Sequence, residues 1–410
     1  MSQWKPIDGN LATPRGFRGA AVRAGIKKAA ENGERPLDLA IILSDALDTT
    51  AAGLFTTNVV AAAPVVLSRQ HLVQSRGRVR AIVANSGNAN ACTGAQGSRT
   101  ARETARAVAT LLGVASSQVL VASTGVIGVP LRSNLIVSQL PALAKSLSAD
   151  GAGDVARAIM TTDTFPKCCV LTTEFAGKPV HLAGVAKGAG MIHPRMATML
   201  SFITTDARIA APLLHKMLRA AANVSFNCLT VDGDTSTNDT VIVLASGLSG
   251  VQVRAGTPAA ARFLAGLTEL SETLAKMIAR DGEGAKKLVT VEVRGARTPR
   301  DAERIARAIA NSPLTKTAIA GSDPNWGRFL CAAGYSGARF DPCKVDIRVN
   351  GFALCRHGLD AGFDEAAAKR ALDQKEITLR LDLHQGKGAA RIWTCDLTHD
   401  YISINASYRT

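Results

Sequence analysis

The chain has 410 residues, enough to bury a large core, and almost half of them are apolar while only 4% are aromatic, the composition of an ordinary soluble α/β protein. No run of about 18 apolar residues occurs, which excludes a membrane-spanning helix. The 48 Lys and Arg against 33 Asp and Glu leave a net charge of +15, a balance often found in nucleic-acid-binding proteins. Here the basic residues are spread along the chain with only short clusters at 76–80, 286–287 and 294–304. No helix-turn-helix, RNP or zinc-finger pattern stands near them. A generally basic surface is the better expectation, with a field that draws acidic substrates as the alternative.

Residues 10–75 read as short strands and turns, with apolar runs at 39–43 and 65–67. A strand over 79–84 ends at Asn85-Ser-Gly87 and leads into a helix over 99–112, closed by Gly113. A further strand at 118–122 ends at Ser123-Thr-Gly125, and 154–160 is weakly helical. Strands at 170–173 and 180–185 precede a glycine-rich turn, and 201–205 is an apolar, β-rich run beyond it. Pro212 opens a helix to about 224 and Pro258 a longer one to 279. The remainder alternates strands (241–244, 288–293, 345–349, 377–383, 390–395) with helices at 302–310 and 365–372. The last strands alternate like an antiparallel sheet with one wet face. Such an order predicts a layered α/β or α+β fold in two or more domains. No internal repeat or low-complexity segment is visible.

Chemistry concentrates at Lys187-Gly-Ala-Gly-Met-Ile-His-Pro-Arg-Met-Ala-Thr-Met-Leu200. Gly188 and Gly190 let the backbone approach other groups closely, Pro194 interrupts regular structure, and Thr198 stands at the junction of this turn and a buried strand. A threonine hydroxyl becomes a good nucleophile when a base lies beside it, and its own free α-amine can be that base. That amine exists only once the Ala197–Thr198 bond is broken. The sharp expectation is therefore self-cleavage: Thr198 attacks the Ala197 carbonyl, an ester forms, and water releases a new N-terminal threonine. On these residues alone, a turn feeding a core strand is the plainer reading.

The segment resembles the processing motif of the ornithine acetyltransferase (bifunctional glutamate N-acetyltransferase) family of arginine biosynthesis. Further blocks resemble that family in its order: Asn85-Ser-Gly-Asn-Ala-Asn-Ala-Cys-Thr-Gly94, Ser123-Thr-Gly-Val-Ile-Gly128, Met160-Thr-Thr-Asp-Thr164, Val231-Asp-Gly-Asp-Thr-Ser-Thr-Asn-Asp239, Arg280-Asp-Gly-Glu-Gly284, Ser322-Asp-Pro-Asn-Trp-Gly-Arg328 and Ile404-Asn-Ala-Ser-Tyr-Arg-Thr410. Eight blocks over nearly the whole chain identify it as a member at family level.

The resemblance implies an αββα sandwich, cut at Ala197–Thr198 into an amino-terminal chain (1–197) and a carboxy-terminal chain (198–410), two copies of each assembling as a heterotetramer. It implies Thr198 as nucleophile, Thr124 and Gly125 as the oxyanion pair, and Lys187, Glu283, Asn405, Thr410 and one of the Thr161-Thr-Asp-Thr164 hydroxyls, Thr161 by choice, as substrate contacts. The reaction implied moves an acetyl group from N2-acetyl-L-ornithine to L-glutamate. Whether acetyl-CoA serves as a second donor stays open. No other cofactor, metal, membrane or nucleic acid is expected. The seven histidines show no His-x-x-x-His pair, and Asp232-Gly-Asp-Thr-Ser-Thr-Asn238 has Thr237 where a calcium loop needs glycine; it reads instead as a hydrogen-bonded turn supporting the site. His193 reads as a structural turn residue. Arg195 departs from the family pattern, which more often has a small polar residue there, and bears on the cleavage rate. Eight scattered cysteines and an amino terminus without an apolar signal suggest reduced thiols in the cytoplasm. The competing readings are an N-terminal-nucleophile amidohydrolase or aminopeptidase, in which water replaces glutamate, and, remotely, a basic nucleic-acid-binding protein.

Overall fold

The computed structural model describes residues 4–29, 33–193 and 199–407. Its centre is two stacked sheets. The larger has six strands in the order Lys5–Pro6, Lys167–Phe175, Lys178–Lys187, Leu200–Thr205, Thr240–Ala245 and Thr50–Phe55; the smaller runs Phe17–Val22, Leu39–Ser44, Ala81–Asn85 and Val119–Ser123. Strands covered on both faces bury every side chain, and Leu200–Thr205 and Thr240–Ala245 are buried throughout, the Thr204, Thr205 and Thr240 hydroxyls being satisfied by the carbonyls of Leu11, His181 and Asn238. Their alternation sorts the side chains. Phe202, Ile242 and Leu244 meet Ile42, Ile82 and Leu120 of the smaller sheet, while Ile203, Val241 and Val243 face the helices Ala211–Val224 and Pro258–Arg280. The outer face of the smaller sheet is covered by the helix Gly94–Leu112 and by Ser133–Val137 and Leu140–Lys145. Helices, sheet, sheet, helices: the architecture is the αββα sandwich.

A second sheet system follows in the carboxy-terminal third. Its strand order is Leu359–Asp360, Phe352–Arg356, Asp346–Val349, Glu376–Asp382, Leu288–Ala296 and Gly388–Cys395, with the helix Pro299–Asn311 packed on the last two. This sheet is mixed, which corrects the antiparallel expectation. Leu288–Ala296 runs parallel to Glu376–Asp382, because the chain between them is long enough for a crossover that carries several helices.

Residues 65–67 are another correction. They lie in the helix Ala63–Gln74, opened by Pro64, not in a strand. Two adjacent valines suggested β structure, but Ser68 and His71 decide the outcome. The Ser68 hydroxyl donates to the Val121 carbonyl (2.7 Å) and accepts from the Val121 N–H (2.8 Å), and His71 Nδ1 lies 2.8 Å from the Val119 oxygen. These polar groups pair an edge strand's open backbone, a tertiary use that apolar periodicity does not register. The helix Gly94–Leu112 begins earlier than expected and does end at Gly113, whose φ of 65° is left-handed.

Candidate active site

Three kinds of chain end converge at one edge of the sandwich. Ala81–Asn85 and Val119–Ser123 are parallel and finish there, with Asn85 opposite Ser123. Lys178–Lys187 also finishes there, antiparallel to Leu200–Thr205, with Lys187 opposite Leu200. Thr240–Ala245 starts there in parallel with Leu200–Thr205. The helix Pro258–Arg280 delivers Asp281 and Glu283 to the same edge, and the terminal helix His399–Ser407 brings Asn405. Lys187 and Leu200 are thus joined in sequence across neighbouring antiparallel strands, the ends of a hairpin.

Polar bonds hold the Thr124–Gly125 turn. The Thr124 N–H donates to the Asn85 carbonyl (3.0 Å), and the Ser123 hydroxyl donates to Asn85 Oδ1 (2.6 Å). Asn238 Nδ2 donates to the carbonyls of Ala89 (2.6 Å) and Ser123 (2.8 Å). Gly125 has φ of 129°, and a Cβ there would lie 2.3 Å from the Gly87 carbonyl carbon and 2.5 Å from the Asn88 nitrogen. Only glycine fits. Since the Thr124 N–H is already committed, the donors this turn offers are the Thr124 hydroxyl and the Gly125 N–H, for which no acceptor stands among the described residues. Lys187 Nζ donates to the Thr124 hydroxyl oxygen (3.2 Å), leaving its hydrogen for another partner.

Lys187 is fully enclosed. Burial holds its ammonium below the usual lysine range, Lys167 adds to the effect, and Asp163, Asp239 and Glu283 work against it. Asp163 shows the converse. Burial alone would raise its carboxyl, but Lys187, Lys167 and the Gly188 N–H outweigh it and hold it below its ordinary value. The carboxylate accepts from Lys167 Nζ (2.6 Å), the Gly188 N–H (2.7 Å) and the Thr161 N–H (2.9 Å). Lys167 also reaches Asp281 Oδ2 at 2.5 Å, and Asp281 accepts from both the N–H and the hydroxyl of Thr164. Across the cavity, the Glu283 N–H donates to the Ala189 carbonyl (2.9 Å), and Glu283 Oε2 accepts from Asn405 Nδ2 (2.7 Å). Gly190 lies against this carboxylate: a Cβ would come within 2.2 Å of Oε2.

Six of the residues singled out by sequence, Thr124, Gly125, Thr161, Lys187, Glu283 and Asn405, line a single cavity of about 100 Å³, together with Thr162, Gly190, Met191, Ser236 and Asn238. Thr164 instead turns to Asp281. Ala197, Thr198, Arg195 and Thr410 lie outside the described residues. The turn at 232–238 packs against the loop: Asp232 accepts from the Met191 N–H (2.5 Å) and the Ile192 N–H (2.9 Å). His193 sits 3.2 Å from the Thr230 hydroxyl and, through its carbonyl, accepts from Thr235. A larger and more open groove, about 920 Å³, runs beside Arg294, Arg300, Arg307 and Arg391. None of the residues singled out for chemistry lines it.

The sequence reading missed Asp163, Lys167 and Asp281 as a buried charge cluster. Lys167 and Asp281 are 114 positions apart, and no spacing rule joins them. Asp163 and Asp281 each lie inside a family-like block, the available signal, whereas Lys167 lies in none. Among the described residues no group of three or more His, Cys, Asp or Glu side chains is arranged to hold a metal ion, and all eight cysteines are free thiols.

Comparison with known proteins gives this edge its context. A model of the ArgJ family matches residues 18–410. The chain belongs to the ArgJ family. It is 50% identical to the arginine biosynthesis bifunctional protein ArgJ of Symbiobacterium thermophilum over 405 residues, covering 98% of this chain and 99% of that one. Against the ArgJ protein of Geobacter sulfurreducens the identity is 48% over 398 residues, covering 97% and 99%. Among solved structures, the arginine biosynthesis bifunctional protein of Bacillus halodurans is similar at 46% identity and a TM-score of 0.50, covering 52% of this chain and 100% of that one. As an ArgJ protein the chain is an acetyltransferase of arginine biosynthesis. Among the described residues, no helix is long and apolar enough to cross a membrane.

Proposed function

We propose that this enzyme cuts itself at Ala197–Thr198 and then carries acetyl groups on Thr198, from N2-acetyl-L-ornithine to L-glutamate. In the first step Thr198 Oγ attacks the Ala197 carbonyl, the peptide C–N bond breaks, and the acyl group passes to oxygen. Water hydrolyses the ester, leaving a carboxylate on Ala197 and a free amine on Thr198. In the transfer, that amine takes the Oγ proton as Oγ attacks the acetyl carbonyl. The proton passes to the departing ornithine nitrogen, and an acetyl-threonine ester remains. The glutamate amine attacks this ester, giving N-acetylglutamate and restoring the hydroxyl. The Thr124 hydroxyl and Gly125 N–H stabilise both oxyanions; donors of this kind contribute roughly 3 kcal/mol each.

The observation that carries the reading is the cavity. It gathers one buried ammonium, Lys187, and one buried carboxylate, Glu283, beside two unspent donors, at the hairpin that bears Thr198. An amino-acid substrate presents a carboxylate and an ammonium, and such a pair accommodates both. Thr161, Asn405 and Thr410 complete the substrate contacts. Cleavage is further supported by the Bacillus halodurans chain, which is covered in full by 52% of this one, the share that 198–410 forms of 410 residues. The two fragments stay together, as two copies of each, in the cytoplasm. Acetyl-CoA serves as a second acetyl donor to glutamate, in keeping with the word bifunctional in the relatives' names.

The test is a denaturing gel and intact mass of fresh protein. Two fragments of similar size are expected, with one uncut chain and no transfer from Thr198→Ala. Ornithine release that requires glutamate and shows ping-pong kinetics supports the transferase; equal release by water alone points to an amidohydrolase. A fully active uncut chain overturns the mechanism.

A further inference from the structure

Resting on that reading, we infer that Asp239 is the positioning residue for Thr198: it fixes the amide directly after the nucleophile, in the uncut chain and in the cut one. Once the bond before Thr198 is broken, the only covalent hold on this residue is its peptide link to Met199. The Met199 N–H, which belongs to that link, donates to Asp239 Oδ1 at 2.9 Å. The Met199 carbonyl accepts from the Thr240 N–H, also at 2.9 Å. Two consecutive residues at the start of one strand therefore grip both polar groups of the residue on which the nucleophile pivots.

The grip is rigid because its base is. Met199 is 4% exposed, Asp239 2% and Thr240 1%. Thr240 lies opposite Leu200 in the parallel ladder and opposite Phe55 on its other side, and the Asp239 carbonyl accepts from the Thr56 N–H (2.9 Å). An acceptor held this way fixes the direction of the Met199 N–H, the amide through which the nucleophile is attached to the strand. Further back along the connection a different group acts: Asp232 takes the N–H groups of Met191 and Ile192. Cleavage separates these functions. The Asp232 contacts go to the spent amino-terminal fragment, while the Asp239 contact stays with the working threonine. Asp239 also bears on Lys187, whose charged form it favours.

The experiment uses the full chain as wild type, Asp239→Ala and Asp239→Asn, followed by intact mass during expression and by transfer kinetics on the cut fraction. Asn keeps an oxygen acceptor for the Met199 N–H, whereas Ala does not. In Asp239→Ala, self-cleavage is expected to slow about tenfold or more, and kcat to fall about as much with KM within twofold, since misplacing a reacting group by about 1 Å is felt this strongly. Asp239→Asn restores both to within about threefold. Thermal melts accompany the three proteins. If Asp239→Ala does not fold, a folded Asp239→Asn that has lost tenfold or more in kcat overturns the inference, and one near wild type upholds it. Wild-type cleavage and kcat in Asp239→Ala overturn it outright, as does a loss confined to KM. An uncut but active wild type is a separate result: it removes the proposed processing, and the inference falls with it.

Discussion

Gly190→Ala puts the placement of Glu283 to a quantitative test. The backbone at Gly190 is outside the left-handed region, so alanine meets no conformational penalty there; the added methyl would nevertheless lie 2.2 Å from Oε2, 2.3 Å from Cδ and 2.5 Å from Oε1 of Glu283. Ordinary contact begins near 3.4 Å, so the carboxylate must retreat by about 1.2 Å. That displacement cannot be absorbed by the 2.7 Å bond from Asn405. Losing a hydrogen bond to a charged group costs about 1.5–3 kcal/mol, or roughly 10- to 150-fold at about 1.4 kcal/mol per decade. KM for acetylornithine is therefore expected to rise about tenfold or more, measured as initial rates of ornithine release at saturating glutamate. Glu283→Gln should behave similarly, and the double variant should add little, because both changes remove the same interaction. An unchanged KM, or full additivity in the double variant, would refute this account of the carboxylate.

Two further outcomes follow from the charge cluster. Lys167→Met should destabilise the protein by about 3–5 kcal/mol in denaturant unfolding, since it strands Asp163 and Asp281 as buried carboxylates without their shared cation; a loss below about 1 kcal/mol would show them solvated. Burial lowers the Lys187 pKa, so its ammonium should be lost on the alkaline side below the free-lysine value of about 10.4. KM for glutamate is expected to climb through that window as pH rises, and a flat profile up to about pH 10 would count against Lys187 as the carboxylate anchor. The sign for stability is opposite. Between the lowered pKa and about 10.4 the unfolded chain binds more protons, so this group's contribution to stability rises with pH.

The sequence was most legible where a residue type has one physical use. Gly113 ends its helix in the left-handed conformation that a helix terminus invites, and Pro212 and Pro258 open theirs. The runs at 201–205 and 241–244 read as strands because β-branched and aromatic residues dominate them, Phe202, Ile203, Thr204 and Thr205 in one and Val241, Ile242 and Val243 in the other. Placing Thr124, Lys187, Glu283 and Asn405 together was not a matter of pattern. They come from four separate elements, and only the family-like blocks hinted that they share a cavity. Legibility failed where polar side chains act across the fold. Ser68 and His71 pair an edge strand, and Lys167 bridges two carboxylates, one of them 114 residues away. Local spacing carries no trace of such pairings.

The location of the hairpin also explains why a break there need not unravel the sandwich. Lys178–Lys187 and Leu200–Thr205 pair over six consecutive positions, from Leu182 opposite Thr205 to Lys187 opposite Leu200. Leu200–Thr205 pairs over six more with Thr240–Ala245 on its other side. The two sides of the loop are thus joined by a ladder and by shared cores before the covalent link is counted. Closing a loop of this length is a modest entropic matter, growing only by about 0.6 kcal/mol per doubling of loop length, against the burial of Phe202, Ile203 and Leu200 at 1% exposure or less. The same ladder fixes Leu200 opposite Lys187 and Thr240, and Met199 is held just before it by Asp239 and Thr240, so the chain entering this strand keeps its place whether or not the covalent link is intact.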